Sequence, residues 1–180
     1  MRVAALGDSI TEGYMCYPQD GWVNIVEREL GIEIFNFGVC GDLTRNMHRR
    51  LRQQVLSINP SHCIILGGTN DAFYDMSLDD YIENMKVMIE CCQENDIIPI
   101  IGVPTPCLSC PEESILQEYR RWLKEYAVSH VISIIDFHVG LTDTISRMAK
   151  KEYLLDEVHP NVKGYRIMAD AAKDVLGKFI

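Results

Sequence analysis

The sequence predicts an α/β protein built on a mostly parallel sheet. Three observations carry this. Five short apolar runs read as continuous hydrophobic segments, the pattern of strands covered on both faces. Longer amphipathic segments alternate with them along the chain. No linker, repeat or low-complexity stretch interrupts the alternation, so residues 1–180 read as one domain.

The strand candidates are Val3–Leu6, Ile32–Phe37, His62–Leu66, Ile97–Val103 and Val131–Ile135. Between them lie helical patterns. Gly21–Leu30 places Trp22, Ile25, Val26 and Leu30 on one side. Leu43–Leu56 carries Arg and Gln on its outer face, so Arg49, Arg50 and Arg52 read as a solvated surface. Leu78–Cys92 has Tyr81, Ile82, Met85, Met88 and Ile89 at helical spacing, a core stripe. Pro111–Val128 opens with proline and acidic residues, as helix starts do. Val162–Phe179 closes the chain. Right-handed crossovers then put every strand's C-terminal end on one edge of the sheet, where ligand sites of such sheets form.

Composition narrows the classes. The chain is 47% hydrophobic and 24% charged, which excludes disordered and fibrous proteins. At 180 residues it can bury roughly 70% of its unfolded surface. A net charge of −9 repels phosphate backbones and argues against nucleic acid as a partner. No apolar run approaches the roughly 20 residues of a membrane span. Only Val3–Leu6 precede Gly7, short of the apolar core of about 7–15 residues in a secretory leader. The expectation is a cytoplasmic protein without stable membrane anchoring. The seven cysteines are accordingly expected as free thiols. Cys107-x-x-Cys110 lacks the second pair a zinc site needs. A thioredoxin-like pair would open a helix, whereas Pro104, Pro106 and Pro111 set this one in a loop.

Polar residues gather at the predicted strand ends. Gly7-Asp8-Ser9 follows the first strand, Asn36-Phe37-Gly38-Val39-Cys40-Gly41 the second, and Gly67-Gly68-Thr69-Asn70-Asp71 the third. Asp156-Glu157-Val158-His159 lies just before the last helix. Ester hydrolysis by serine needs a base, a group that orients the base, and donors for the oxyanion. Ser9 supplies the hydroxyl, His159 the base and Asp156 the orienting carboxylate. The donors are the backbone N–H groups of Ser9 and Gly41 and the Asn70 amide. Each piece alone has a bland reading: Ser9 or Asp8 as a helix cap, His159 as a surface residue, Gly41 as a loop glycine. Their joint presence at strand ends that must be neighbours is what points to catalysis.

This set resembles the SGNH/GDSL family of esterases and lipases. The family's first block matches Gly7-Asp8-Ser9-Ile10-Thr11-Glu12-Gly13 and its second-block glycine falls on Gly41. Its third block matches Gly68-Thr69-Asn70-Asp71 and its last Asp156-Glu157-Val158-His159. The blocks run in family order over nearly the whole chain. The resemblance implies a three-layer α/β/α sandwich, a flavodoxin-like five-stranded parallel sheet of order 2-1-3-4-5. It also implies an acyl-enzyme on Ser9, no metal or organic cofactor, and a small-molecule ester as partner, with short acyl groups expected. Acetyl esterase, lysophospholipase and arylesterase activities are not separable here, and the oligomeric state is not legible. A non-catalytic ligand-binding module and an acyltransferase are the alternatives.

Other residues take smaller parts. Asp8 is expected to order the Ser9 turn through backbone amides, and Asp71 to cap the helix that follows it. Glu157 is a weaker substitute for Asp156. Tyr14, with Met15 and Tyr17, is placed to line the entrance. Cys107, in the loop Pro104–Pro111, is placed to shape the substrate pocket. His48, His62 and His130 have no partner pattern, while His138 follows a strand end.

Overall fold

A computed structural model describes residues 1–180. Five strands, β1 (Arg2–Gly7), β2 (Glu33–Gly38), β3 (His62–Leu66), β4 (Ile98–Val103) and β5 (Ser133–Asp136), form one sheet in the order 2-1-3-4-5. Every pairing is parallel. The order reverses between β1 and β3, and at such a switch point the loops diverge and open a crevice.

Alternate side chains of each strand feed opposite faces. Ala4, Leu6, Cys63, Ile65 and Ile101 enter one core, with Met47, Met85, Met88 and the stacked rings of Tyr81 and Tyr119. That face is covered by α3 (Thr44–Gln54), α5 (Leu78–Gln93) and α6 (Glu113–His130). Val3, Ala5, Ile64, Leu66 and Ile100 enter the other, with Trp22, Phe137, Tyr165 and Met168. There the cover is α2 (Trp22–Leu30) and α8 (Val162–Leu176). Three short helices follow strands directly: α1 (Ser9–Glu12) after β1, α4 (Thr69–Phe73) after β3 and α7 (Phe137–Leu141) after β5.

The observed elements differ from expectation at their ends. Val131 reads as strand, being β-branched, yet it closes α6 in the left-handed conformation at φ 55°. Its N–H and that of Ile132 return to the carbonyls of Val128 and Ala127, so β5 starts at Ser133. Pro111 does not open α6; its carbonyl instead accepts the Ser114 hydroxyl in a preceding turn. The ends expected at Leu56 and Phe179 are 3₁₀ turns appended to α3 and α8. No helix is long and apolar enough to cross a membrane.

Candidate active site

The Ser9 turn is held from three sides. Asp8 caps α1, its carboxylate accepting the Ile10 N–H at 2.9 Å, as the sequence suggests. From α2, the buried Trp22 indole donates to the Ile10 carbonyl at 3.1 Å. From β2, the Asn36 amide donates to the Thr11 carbonyl at 2.9 Å and accepts the Gly38 N–H. Gly38 is required there, because a Cβ would fall 2.0 Å from the Glu12 nitrogen. These contacts leave Ser9 nearly buried, 5% exposed, at the C-terminal end of the central strand.

His159 arrives from 150 residues away, its Nε2 3.1 Å from the Ser9 Oγ. Asp156 builds the turn that presents it. One carboxylate oxygen accepts the N–H groups of Val158 and His159, at 2.8 and 2.7 Å. The other lies 2.8 Å from His159 Nδ1. A three-residue spacing suits both tasks, since a short Asp side chain reaches its own backbone two and three residues on. With the proton on Nδ1, facing the carboxylate, Nε2 carries the lone pair that accepts the serine hydroxyl. Partial burial pushes the Asp156 carboxyl up, but hydrogen bonds from His159 and Val158 outweigh it and hold the group below its ordinary range. Asp156 is therefore a carboxylate at neutral pH. The neighbouring Glu157 makes no side-chain bond to the imidazole; the carboxylate that meets Nδ1 is that of Asp156. Tyr14 packs its ring 4.5 Å from the His159 ring.

The backbone N–H groups of Ser9 and Gly41 have no acceptor inside the chain. Ser9 is the first residue of α1, where N–H groups are unpaired by construction. Gly41 sits at φ 74°, a conformation that favours glycine, and its backbone N–H finds no acceptor inside the chain. The Asn70 amide donates one hydrogen to the Asp42 carbonyl at 2.9 Å, leaving a second hydrogen free. Asp42 is fixed in turn by Arg50, at 2.7 Å, whose guanidinium also donates to the carbonyls of Gly7 and Phe37 at 2.8 Å each. This corrects the sequence reading: Arg50 is no solvated surface residue but ties the ends of β1 and β2 to the loop that carries Gly41. Asp71 is corrected too. It accepts the Thr44 N–H and hydroxyl, at 3.0 and 2.5 Å, and so caps α3 rather than the helix after it.

Residues 5–167 match the model of the GDSL-like lipase/acylhydrolase family. The chain belongs to that family. Its members are acyl hydrolases, and this chain is accordingly a carboxylic-ester hydrolase. An acetylxylan esterase of Geobacillus stearothermophilus is 24% identical over 94% of this chain and 91% of its own. The Bacillus subtilis lipoprotein YqeF is 32% identical over 67% of this chain and 55% of its own. Among solved structures, a member of the lipolytic protein G-D-S-L family from Veillonella parvula superposes with a TM-score of 0.89 at 27% identity, each chain covered to 99%.

Not every candidate residue reaches this cluster. Cys107 is 4% exposed and its sulfur is bonded to that of Cys110, so neither is the free thiol expected, and Cys107 offers no side chain to a substrate. The signal was the three-residue spacing itself, outweighed by the expectation of free thiols. His138 lies on α7, beyond β5, three strands from β1; burial first and the Arg120 charge second depress it to about 4. His62, at the opposite end of β3, packs against Phe179. No group of three or more His, Cys, Asp or Glu side chains is arranged to hold a metal ion.

Asp8 behaves unlike Asp156. Complete burial pushes its pKa from 3.8 up to about 7, against the Ile10 hydrogen bond and with help from the charges of Asp71 and Asp42. Between pH 4 and 7 the unfolded chain loses this proton while the folded chain keeps it. Folding stability therefore falls as pH rises through that window, by on the order of 4 kcal/mol from this group alone. Asp8→Asn keeps the capping oxygen and removes the titration. Its urea midpoint should fall less between pH 4.5 and 7.5 than that of the wild type; parallel pH profiles would show that Asp8 does not carry the effect.

Proposed function

We propose that Ser9 attacks the carbonyl of a short-chain carboxylic ester, forming an acyl-enzyme that water then hydrolyses. The observation that carries this is the hydrogen-bonded line Ser9–His159–Asp156, together with the backbone N–H groups of Ser9 and Gly41, which have no acceptor, and the second hydrogen of the Asn70 amide. His159 takes the Ser9 proton as the Oγ–carbon bond forms. Asp156 steadies the imidazolium that results. Charge on the former carbonyl oxygen is met by the three donors. His159 then passes its proton to the leaving alcohol, and the C–O bond breaks. In the second half, His159 takes a proton from water, which attacks the acyl-enzyme, and returns it to Ser9.

The leaving alcohol must lie within reach of His159 Nε2, which puts it beside the Tyr14 ring. We assign Tyr14 to contact with that alcohol. The acetylxylan esterase among the relatives favours acetyl to butyryl groups over long acyl chains for this chain too.

A p-nitrophenyl ester series from acetate to decanoate tests the reading. Turnover should be greatest from acetate to butyrate and decline beyond. On acetate, Asn70→Ala should lower kcat by about 10²–10³. A maximum at decanoate would overturn the short-acyl assignment, and an Asn70→Ala rate within twofold of wild type would remove Asn70 from the oxyanion site.

A further inference from the structure

We infer that the Cys107–Cys110 bridge is a positioning device for His159, acting through the backbone N–H of Leu108. The inference rests on the Ser9–His159 reading above. The bridge lies in the segment 104–111 between β4 and α6.

The base of this segment is held by Arg120, a buried side chain of α6. Its guanidinium donates to the carbonyls of Pro104 and Thr105, at 2.9 and 2.7 Å, and pairs with Glu113 at 2.6 Å. Glu113 also accepts the Cys107 N–H at 2.8 Å. Beyond Cys107 the hold changes character. Leu108 and Ser109 are enclosed in the ring that the two sulfurs close, with Ser109 at φ 59°. From that ring the Leu108 N–H donates to the Glu157 carbonyl at 2.7 Å. Glu157 sits inside the Asp156–His159 turn. Apart from the Ser9 contact, this is the one hydrogen bond that the turn receives from outside its own neighbourhood in the chain. Every other hydrogen bond of the turn, including Leu155 N–H to the His159 carbonyl, is local.

The bridge thus stiffens the segment that braces the histidine turn against the sheet. Dithiothreitol would break the S–S bond: each sulfur takes up one hydrogen, and the reagent closes to its own cyclic disulfide. Leu108 then loses the ring that fixes it, and His159 loses its external brace while Asp156 still orients the ring. Catalysis is sensitive to such displacements of reacting groups, so kcat should fall by about three- to tenfold, with KM moving less than twofold.

The test starts with thiol titration of denatured, never-reduced enzyme, where five free cysteines should react, rising to seven after reduction. Hydrolysis of p-nitrophenyl acetate is then measured in both states. Reduction should lower kcat in the wild type, while Cys107→Ser/Cys110→Ser should show the reduced rate and ignore dithiothreitol. The His159 imidazole resonance, assigned by its loss in His159→Ala, should shift on reduction, while that of the remote His130 stays. Seven thiols before reduction, a wild-type kcat indifferent to reduction, or an equal response in the double variant would each overturn the inference. Should the double variant fail to fold, the wild-type comparison and the resonance decide alone. Ser9→Ala, run alongside, separates the two claims: activity surviving in it would refute the nucleophile, whatever reduction does.

Discussion

Ser9→Ala is expected to lower kcat on p-nitrophenyl acetate by at least about 10⁴-fold while leaving the fold and its thermal midpoint nearly unchanged. The substitution removes one atom, the Oγ, whose hydrogen-bond partner is His159. It spares the structure because α1 is capped by Asp8 and anchored by Trp22, neither of which touches the Ser9 side chain. Alanine also suits a helical first turn. The donors of Ser9, Gly41 and Asn70 survive, so slow water-driven hydrolysis should remain measurable. A fluorophosphonate probe adds a second readout. It should label wild-type enzyme on the peptide containing Ser9 and leave Ser9→Ala unlabelled. Retention of kcat within tenfold, or labelling elsewhere, would refute the assignment. His159→Ala should be comparably damaging, since the hydroxyl then lacks its base and the groups act as a unit.

The clarity of that prediction follows from what a sequence can hold locally. β1 and β3 are legible because both faces are covered, which forces unbroken apolar runs such as Val3–Leu6 and His62–Leu66. Asp156 and His159 are legible because their contact is a short-range turn, and a three-residue spacing encodes it. Ser9, Gly41 and Asn70 could be joined only through topology: parallel strands bring their C-terminal ends to one edge, and the observed order sets β2, β1 and β3 side by side. What escaped is long-range or a matter of one backbone angle. Nothing near Asp71 in the chain says that its carboxylate caps α3, 27 residues earlier. Val131 carries strand propensity and nevertheless ends a helix. The Cys107–Cys110 bond needed knowledge of how the loop bends.

Arg50 is the most consequential of these, because its sequence context conceals it. It neighbours Leu51, which is buried, and lies three positions from Met47, also buried, so it falls at the margin of the apolar stripe of α3. Helical periodicity assigns such a position to solvent. Only the three-dimensional arrangement shows that the guanidinium turns inward to Asp42 and to carbonyls at the ends of β1 and β2, strands that end 31 residues apart in the chain. Its planar fork serves several acceptors at once in a fixed, spread-out geometry that the compact ammonium of a lysine does not reproduce.

Arg50→Met should therefore reduce both stability and turnover. Methionine keeps the apolar stem, so the loss is that of the guanidinium rather than of packing. The Asp42 side chain is 7% exposed and would be left without its counter-ion. Removing one partner of a pair this secluded costs about 3 kcal/mol. At roughly 2–4 °C per kcal/mol for a chain of this length, the thermal midpoint should drop by about 6–12 °C. Turnover should fall as well, by about tenfold, because Asp42 is shared: its carbonyl orients the Asn70 amide, and its N–H closes the Val39–Asp42 turn that presents Gly41. The two readouts separate the roles. A lower midpoint with unchanged kcat, measured well below that midpoint, would confine Arg50 to stability. A midpoint within 2 °C of wild type would show that the Asp42 pair is effectively solvated, as the sequence alone suggests. Arg50→Lys should fall between, restoring the charge beside Asp42 without the carbonyl contacts to Gly7 and Phe37.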